Sequence, residues 1–176
     1  MNPSRMTPPP ELASAFDPAS FLGTLSNANF TITSAGAAHG GSRSLRSRST
    51  GKFYGEFTSI NTVGEFALGI GTVATVNYSS SSGTAYGGVY RIVREDGFVL
   101  SNAAGIVGTA AWATGDIVGA SMDFSTMTLS LYKNGAAIYS VVMPADTYYM
   151  FAKLWNGRAV TLATAQTYLP SGFQPW

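Results

Sequence analysis

Nine acidic side chains, one histidine and no cysteine supply all the carboxylate, imidazole and thiolate chemistry of this 176-residue chain. Two of the aspartates share one short stretch, GDIVGASMDFSTMTLSLYKNG, from Gly115 to Gly135. A carboxylate pair working as acid and base must flank its substrate at a separation of about 5–10 Å. If the stretch begins as a strand, Asp116 and Asp123 stand ~23 Å apart at ~3.3 Å per residue, on opposite faces. A carboxylate at a strand start or just before a turn has a simpler use, which is to accept turn N–H groups. Both aspartates read that way. Glu56 and Glu65 are the other candidate pair for glycosidase chemistry. Glu56 falls on a strand face with Tyr54 and Ile60, and Glu65 follows Gly64 in a turn, so they are not expected to converge. His39 lies in a Gly-rich segment. A zinc ion there would lack ligands, and a Ser-His-Asp triad would lack the G-x-S-x-G elbow. No catalytic residue, cofactor or metal site is expected.

The elements that must position these residues are short strands. Lys52 to Ile60 alternates, with Phe53, Gly55, Phe57 and Ser59 on one face and Tyr54, Glu56, Thr58 and Ile60 on the other. Phe66 to Thr72, Gly87 to Val93, Phe98 to Leu100, Tyr148 to Trp155 and Ala159 to Ala163 follow as strands, punctuated by Gly, Asn, Ser and Pro. Tyr148 to Phe151 is apolar on both faces and reads as a central strand. Asp116 to Phe124, Thr128 to Tyr132 and Ala136 to Met143 form a three-stranded meander. Its second turn, Asn134-Gly135, suits a type I′ hairpin because both residues tolerate positive φ. The segment His39 to Arg48 carries Arg43, Arg46 and Arg48 and reads as an edge strand, where cations oppose sheet-to-sheet pairing. No long segment has the 3.6-residue apolar period of a helix; Glu11 to Phe16 has room for one or two helical turns. The pattern predicts an all-β sandwich of antiparallel sheets.

Composition narrows the partners. Net charge is +1, which gives no sign of nucleic acid binding. Charged residues make up 11 % of the chain, against about 25 % in ordinary domains. Such a surface suits a protein that lives in an assembly or outside cells. No apolar run is long enough to cross a membrane as a helix, and MNPSRMTPPPELASAF lacks the apolar core of a signal peptide. Five of the eight prolines fall within residues 1–20. Pro8, Pro9 and Pro10 predict extended polyproline II, so residues 1–20 are expected to form an N-terminal arm and 21–176 the sandwich. Pro8, Pro9, Pro10 and Phe16 are the expected docking residues of that arm.

These motifs resemble the SPRY (B30.2-like) domains. Gly115-Asp116-Ile117-Val118-Gly119, then Asp123, Leu129-Ser130 and Tyr132-Lys133-Asn134-Gly135, resemble the family's most diagnostic stretch. Thr50-Gly51-Lys52-Phe53-Tyr54-Gly55-Glu56-Phe57 resembles its SGKxYWEV strand, with Thr50 for serine and Gly55 for the usual tryptophan. Leu68-Gly69-Ile70-Gly71 resembles its VGIG strand. Tyr86-Gly87, Tyr90 and Asp96-Gly97 resemble its middle hairpin, without the tryptophan found there. Pro170-Ser171-Gly172-Phe173 resembles its closing segment. Thr126-Met127 stands where the family often has Asn-Gly, which predicts a longer first loop in the meander. The phrase from Thr24 to Thr31 is similar to the opening of short versions carried by tailed phages.

The resemblance implies a concanavalin-type bent β-sandwich, with no enzymatic activity, that binds partners through loops at one end. It implies that the junction Trp155-Asn156-Gly157-Arg158 contributes to that surface. Trp and Arg are common interface anchors, although a core tryptophan followed by a plain turn would give the same sequence. Tyr78 and Tyr86, flanking a serine loop, are further candidates. Trp112 and Trp176 are expected to pack. The resulting expectation is a noncatalytic virion protein, a capsid decoration, fibre or tail component assembled in the host cytoplasm. Its arm would dock on other virion proteins, and it would form a homo-oligomer in the assembly. The alternatives are a receptor-binding module for a host-surface glycan or peptide, and an intracellular adaptor.

Overall fold

The computed structural model describes residues 14–20, 23–35, 39–61, 66–73, 89–101, 104–109 and 111–176. Among the described residues, fourteen strands build two facing sheets. The eight-stranded sheet contains β1 (Thr24–Ser26), β2 (Thr31–Thr33), β4 (Lys52–Ser59), β9 (Ile117–Asp123), β10 (Thr128–Lys133), β11 (Ala136–Val142), β13 (Ala159–Leu162) and β14 (Gln174–Pro175). Its order is β1-β2-β13-β4-β9-β10-β11, with β14 parallel to β4 beside Phe53 and Tyr54. The six-stranded sheet runs β3 (His39–Arg48), β12 (Tyr148–Trp155), β5 (Phe66–Gly71), β6 (Tyr90–Arg94), β7 (Phe98–Ser101) and β8 (Ala104–Gly108).

Alternation explains the core. Phe53 and Phe57 on β4, Val118, Ala120 and Met122 on β9, and Leu129 and Leu131 on β10 face inward. They meet Leu68 and Ile70 of β5 and Met150, Ala152 and Leu154 of β12. Strand β12 lies between β3 and β5, as its two-sided apolar sequence predicts. The meander also forms as read. Asp123 pairs with Thr128 across a four-residue loop that ends with Met127 at φ 52°. Lys133 pairs with Ala136 across Asn134-Gly135, at φ 48° and 81°, a type I′ geometry.

Gly55, where the resembling family carries a tryptophan, is hemmed in by other side chains. A β-carbon on Gly55 would lie 2.7 Å from Met150 Cε and 3.2 Å from Trp176 Cβ. Trp176 therefore fills the space beside β4. It is 2 % exposed, packs edge-on against Phe53 at 6.3 Å, and donates its indole N–H to Arg46 O at 3.2 Å. Trp112 is likewise buried and donates its indole N–H to Arg94 O. Both packing expectations hold.

The edge position of β3 is as predicted, but residues 14–17 lie against it. Phe16 forms an antiparallel bridge with Ser44. Leu45 N–H donates to Ala15 O at 2.6 Å, and Asp17 N–H donates to Arg43 O at 2.8 Å. Phe16 is fully buried and stacks on Phe57 at 6.3 Å. Asp17 takes a two-pronged hydrogen bond from Arg43, at 3.0 and 2.9 Å. Phe16 is thus a core residue rather than an arm residue, because burying a phenylalanine is worth about 1.5–3 kcal/mol and β3 offers it a groove. Residues 14–16 are extended, not helical. Pro8, Pro9 and Pro10 lie outside the described residues.

A second departure concerns the outer face of β4. Alternation puts Tyr54 and Glu56 away from the inter-sheet core, yet both are buried. The chain from Ala163 to Phe173 crosses that face as a strap. Thr167 N–H donates to Glu56 Oε2 at 2.7 Å, and Tyr168 N–H donates to Oε1 at 2.6 Å. Tyr54 donates its hydroxyl to Oε1 at 3.0 Å. Burial, and then the Glu56 charge, push the Tyr54 phenol far above its ordinary range. The Tyr54 hydroxyl occupies the space that a β-carbon on Gly119 would need, which accounts for the second glycine of GDIVG.

Candidate interaction surface

The strand register brings several connections to one end of the sandwich. Thr58 pairs with Ile117, Lys133 with Val118, Ser59 with Val160, Leu154 with Phe66 and Ala67 with Arg94. The links that follow β4, β6, β8, β10 and β12 therefore leave from the same end. Trp155 closes β12 there, opposite His39 of β3.

Asp116 organises the meander side of this end. Its Oδ1 accepts Asn134 Nδ2 at 2.8 Å and its Oδ2 accepts Ala113 N–H at 2.8 Å. Lys133 Nζ stands 3.2 Å from Oδ2 and donates to Ala111 O at 2.5 Å. Partial burial raises the pKa of this carboxyl, but the Asn134, Ala113 and Lys133 donors more than offset that and hold it below the usual range. Asn134 Oδ1 accepts Ile117 N–H at 2.8 Å, so the Asn-Gly turn is locked onto the strand that follows Asp116. Asp123, at the opposite end of β9, takes Lys52 at 2.7 Å and Ser125 N–H at 2.9 Å. Both aspartates hold turns, as their positions predict.

The turn after Trp155 joins the two sheets. Asn156 and Gly157 have φ 56° and 76°, and Arg158 N–H closes the turn on Trp155 O at 3.3 Å. Asn61 braces it. Its Nδ2 donates to Gly157 O at 3.2 Å, and its Oδ1 accepts Ala159 N–H at 3.2 Å. Arg158 is 2 % exposed and sits 3.2 Å from Glu95 Oε2 in the β6–β7 turn. Burial lowers the pKa of its guanidinium and Glu95 opposes that shift. An ion pair therefore ties the eight-stranded sheet to the six-stranded one. Trp112 adds a second tie, donating its backbone N–H to Glu95 O at 2.9 Å.

The expected partner residues thus separate. Trp155 is half-buried and Asn156 is exposed, both on the rim. Arg158 is not a surface anchor, because its charge is directed inward at Glu95. Tyr78 and Tyr86 lie outside the described residues. The flanks of their loop, Thr72 and Val89, are joined by a hydrogen bond of 2.9 Å where β5 and β6 leave the sheet beside Tyr149. That is the far end of β12, about 20 Å from Trp155 at ~3.3 Å per residue. Sequence reasoning missed Asn61 and Glu95. Each acts across a large sequence separation, on partners 96 to 98 positions from Asn61 and, for Glu95, on Arg158.

This end carries a rim braced by hydrogen bonds and an ion pair. Among the described residues no three His, Cys, Asp or Glu side chains gather to hold a metal ion. Glu56 is wholly engaged under the strap, Glu65 lies outside the described residues, and the two aspartates are bound in turns.

No protein-family model matches the sequence. No curated protein matches it either. The fold is similar to that of solved structures. The SPRY domain of human HERC1 superposes with a TM-score of 0.73 at 16 % identity, over 87 % of this chain and 99 % of that one. The PSpry domain of TRIM65 superposes with a TM-score of 0.62 at 16 % identity, over 87 % of this chain and 93 % of that one. The sandwich is of the SPRY type.

Proposed function

On this SPRY-type sandwich, we propose that the chain is a noncatalytic interaction module of a tailed-phage virion, a capsid decoration, fibre or tail component, that engages protein partners through the rim at Trp155 and Asn156. One observation carries the binding part. Asn61 and the Arg158–Glu95 pair fix the turn from both sheets, while Asn156 at its crest is open to solvent. A preordered rim loses little conformational entropy on binding. The virion placement is supported by the charge-poor composition and by the Thr24 to Thr31 phrase. The Pro-rich segment ahead of Ser14 is the docking arm in this reading, and homo-oligomers form in the assembly. Residues 14–17 belong to the sandwich, so deletions that probe the arm must stop at residue 13.

The experiment offers dye-tagged protein separately to particles lacking it and to host cells. Saturable binding to particles, lost when residues 1–13 are removed, supports the virion role. Particle binding that survives this deletion overturns docking by the arm. A second reading is favoured by the half-buried indole on the rim, since aromatic faces suit sugar rings. It predicts cell binding that Trp155→Ala abolishes with little change in melting temperature. Binding to neither target would defeat both readings.

A further inference from the structure

The chain holds two Asn-Gly turns of the same backbone type in opposite chemical settings. At Asn134-Gly135 the side-chain amide is pinned, with Oδ1 accepting Ile117 N–H and Nδ2 donating to Asp116, each at 2.8 Å. Its own N–H donates to Ile117 O at 2.8 Å. The ring of Tyr168 stands beside the exposed Gly135, and a β-carbon there would lie 2.6 Å from Tyr168 Cδ1. At Asn156-Gly157 the φ angles are nearly the same, 56° and 76° against 48° and 81°. Both asparagines are exposed, yet the Asn156 side chain has no hydrogen-bond partner among the described residues. The space around Gly157 where a β-carbon would sit is open, with no atom within 4 Å.

We propose that Asn156 is a site of spontaneous deamidation, in which Gly157 and water convert it to aspartate and isoaspartate, while the fold protects Asn134 from the same reaction. The Gly157 nitrogen attacks Asn156 Cγ. An N–Cγ bond forms, the Cγ–Nδ2 bond breaks, and Nδ2 leaves as ammonia with the proton given up by the Gly157 nitrogen. Water then opens the succinimide at either carbonyl. Glycine permits this closure because no side chain obstructs its nitrogen. For Asn134 to react, its amide must first leave Ile117 and Asp116. Losing two such hydrogen bonds corresponds to a rate penalty of about 30-fold.

The products alter the rim. Each carries a new carboxylate at the crest of the turn. Isoaspartate also inserts an extra backbone atom inside the closure from Arg158 N–H to Trp155 O. The consequence for binding rests on the function proposed above, whereas the chemistry does not.

The test is incubation of the full chain at mildly alkaline pH, folded and in concentrated urea, with peptide mass spectrometry at both sites. The expected result is conversion of Asn156 about 30-fold faster than Asn134 in the folded protein, with the gap closing in urea. Equal folded rates, or faster reaction at Asn134, would overturn the proposal. A gap of the same size in urea would also overturn it, since local sequence and not the fold would then set the rates. Asp116→Ala should raise the Asn134 rate while leaving Asn156 unchanged; no rise at Asn134 in a folded variant counts against protection. Partner binding is read separately on the deamidated fraction. Unchanged binding there would count against the rim function and leave the deamidation result intact.

Discussion

Glu56 and Asp116 are both carboxylates of the eight-stranded sheet that receive backbone N–H groups, and the regions they organise differ in two respects. Glu56 is 1 % exposed and holds residues 111 and 112 positions away, binding the strap across the outer face of β4. Asp116 is partly exposed and holds neighbours no more than 18 positions away, at the tip of the meander. Water can replace much of what Asp116 supplies. It cannot reach the buried Glu56 carboxylate and the Tyr54 phenol beside it. A carboxylate is structurally decisive where it closes a long loop in a dry place, and only helpful where it closes a short one at the surface.

The largest effect is expected at Glu56→Ala. Two backbone N–H groups and the Tyr54 hydroxyl lose their acceptor, so unfolding free energy should fall by about 3 kcal/mol or more in urea titration. Hydrogen exchange should show the Thr167 and Tyr168 amides exposed while the β10 amides stay protected. Loss of protection across both would mean the strap is not a separate unit. Glu56→Gln should cost less, about 2 kcal/mol, because one oxygen remains while the amide N–H₂ confronts a donor. Asp116→Ala should cost about 1 kcal/mol, with changes confined to the Ala113 and Asn134 turns by NMR. A loss there equal to that of Glu56→Ala would erase the contrast.

The smallest effect is a pH dependence at Asp123. The Lys52 ammonium, with the Ser125 hydroxyl and N–H, holds its carboxyl down at about 2, below an unfolded value of about 3.9. Because the folded pKa is the depressed one, the stabilisation is complete above the unfolded pKa. It disappears as pH falls through the folded one. The urea midpoints of wild type and Asp123→Asn should differ at pH 5 and converge near about pH 2. A gap that persists at the acid end would assign the effect to shape and not to charge.

Local rules carried the sequence reading far. Alternation puts Val118, Ala120 and Met122 on one face, which the structure turns inward, and the Asn134-Gly135 dipeptide gave its turn type. The arginines of β3 marked an edge. What was not legible involves partners distant in sequence. Alternation assigns Tyr54 and Glu56 to the outer face but carries no record that residues near 168 return to cover it. That Gly55 has no room for a side chain is a fact of volume, visible only once Met150 and Trp176 surround it. Phe16 looked like part of a Pro-rich arm because the prolines before it set the composition. At the candidate rim, Arg158 read as an anchor because Glu95 is in another sheet.

The strand order also sets a timetable. Strands β9 to β11 are closed by loops of four and two residues, so this meander can form as soon as it is made. Some earlier strands wait for a late partner, Ile32 for Val160, Gly40 for Leu154 and Tyr54 for Pro175, while β1–β2 and β5 to β8 pair with near neighbours. On a ribosome, β2 and β3 must wait for β13 and β12 until residues beyond about 150 have emerged. Such non-local pairing places folding on a scale of about milliseconds to seconds. During that interval the arginine-bearing strand β3 is the segment best equipped to resist pairing with a neighbouring nascent chain.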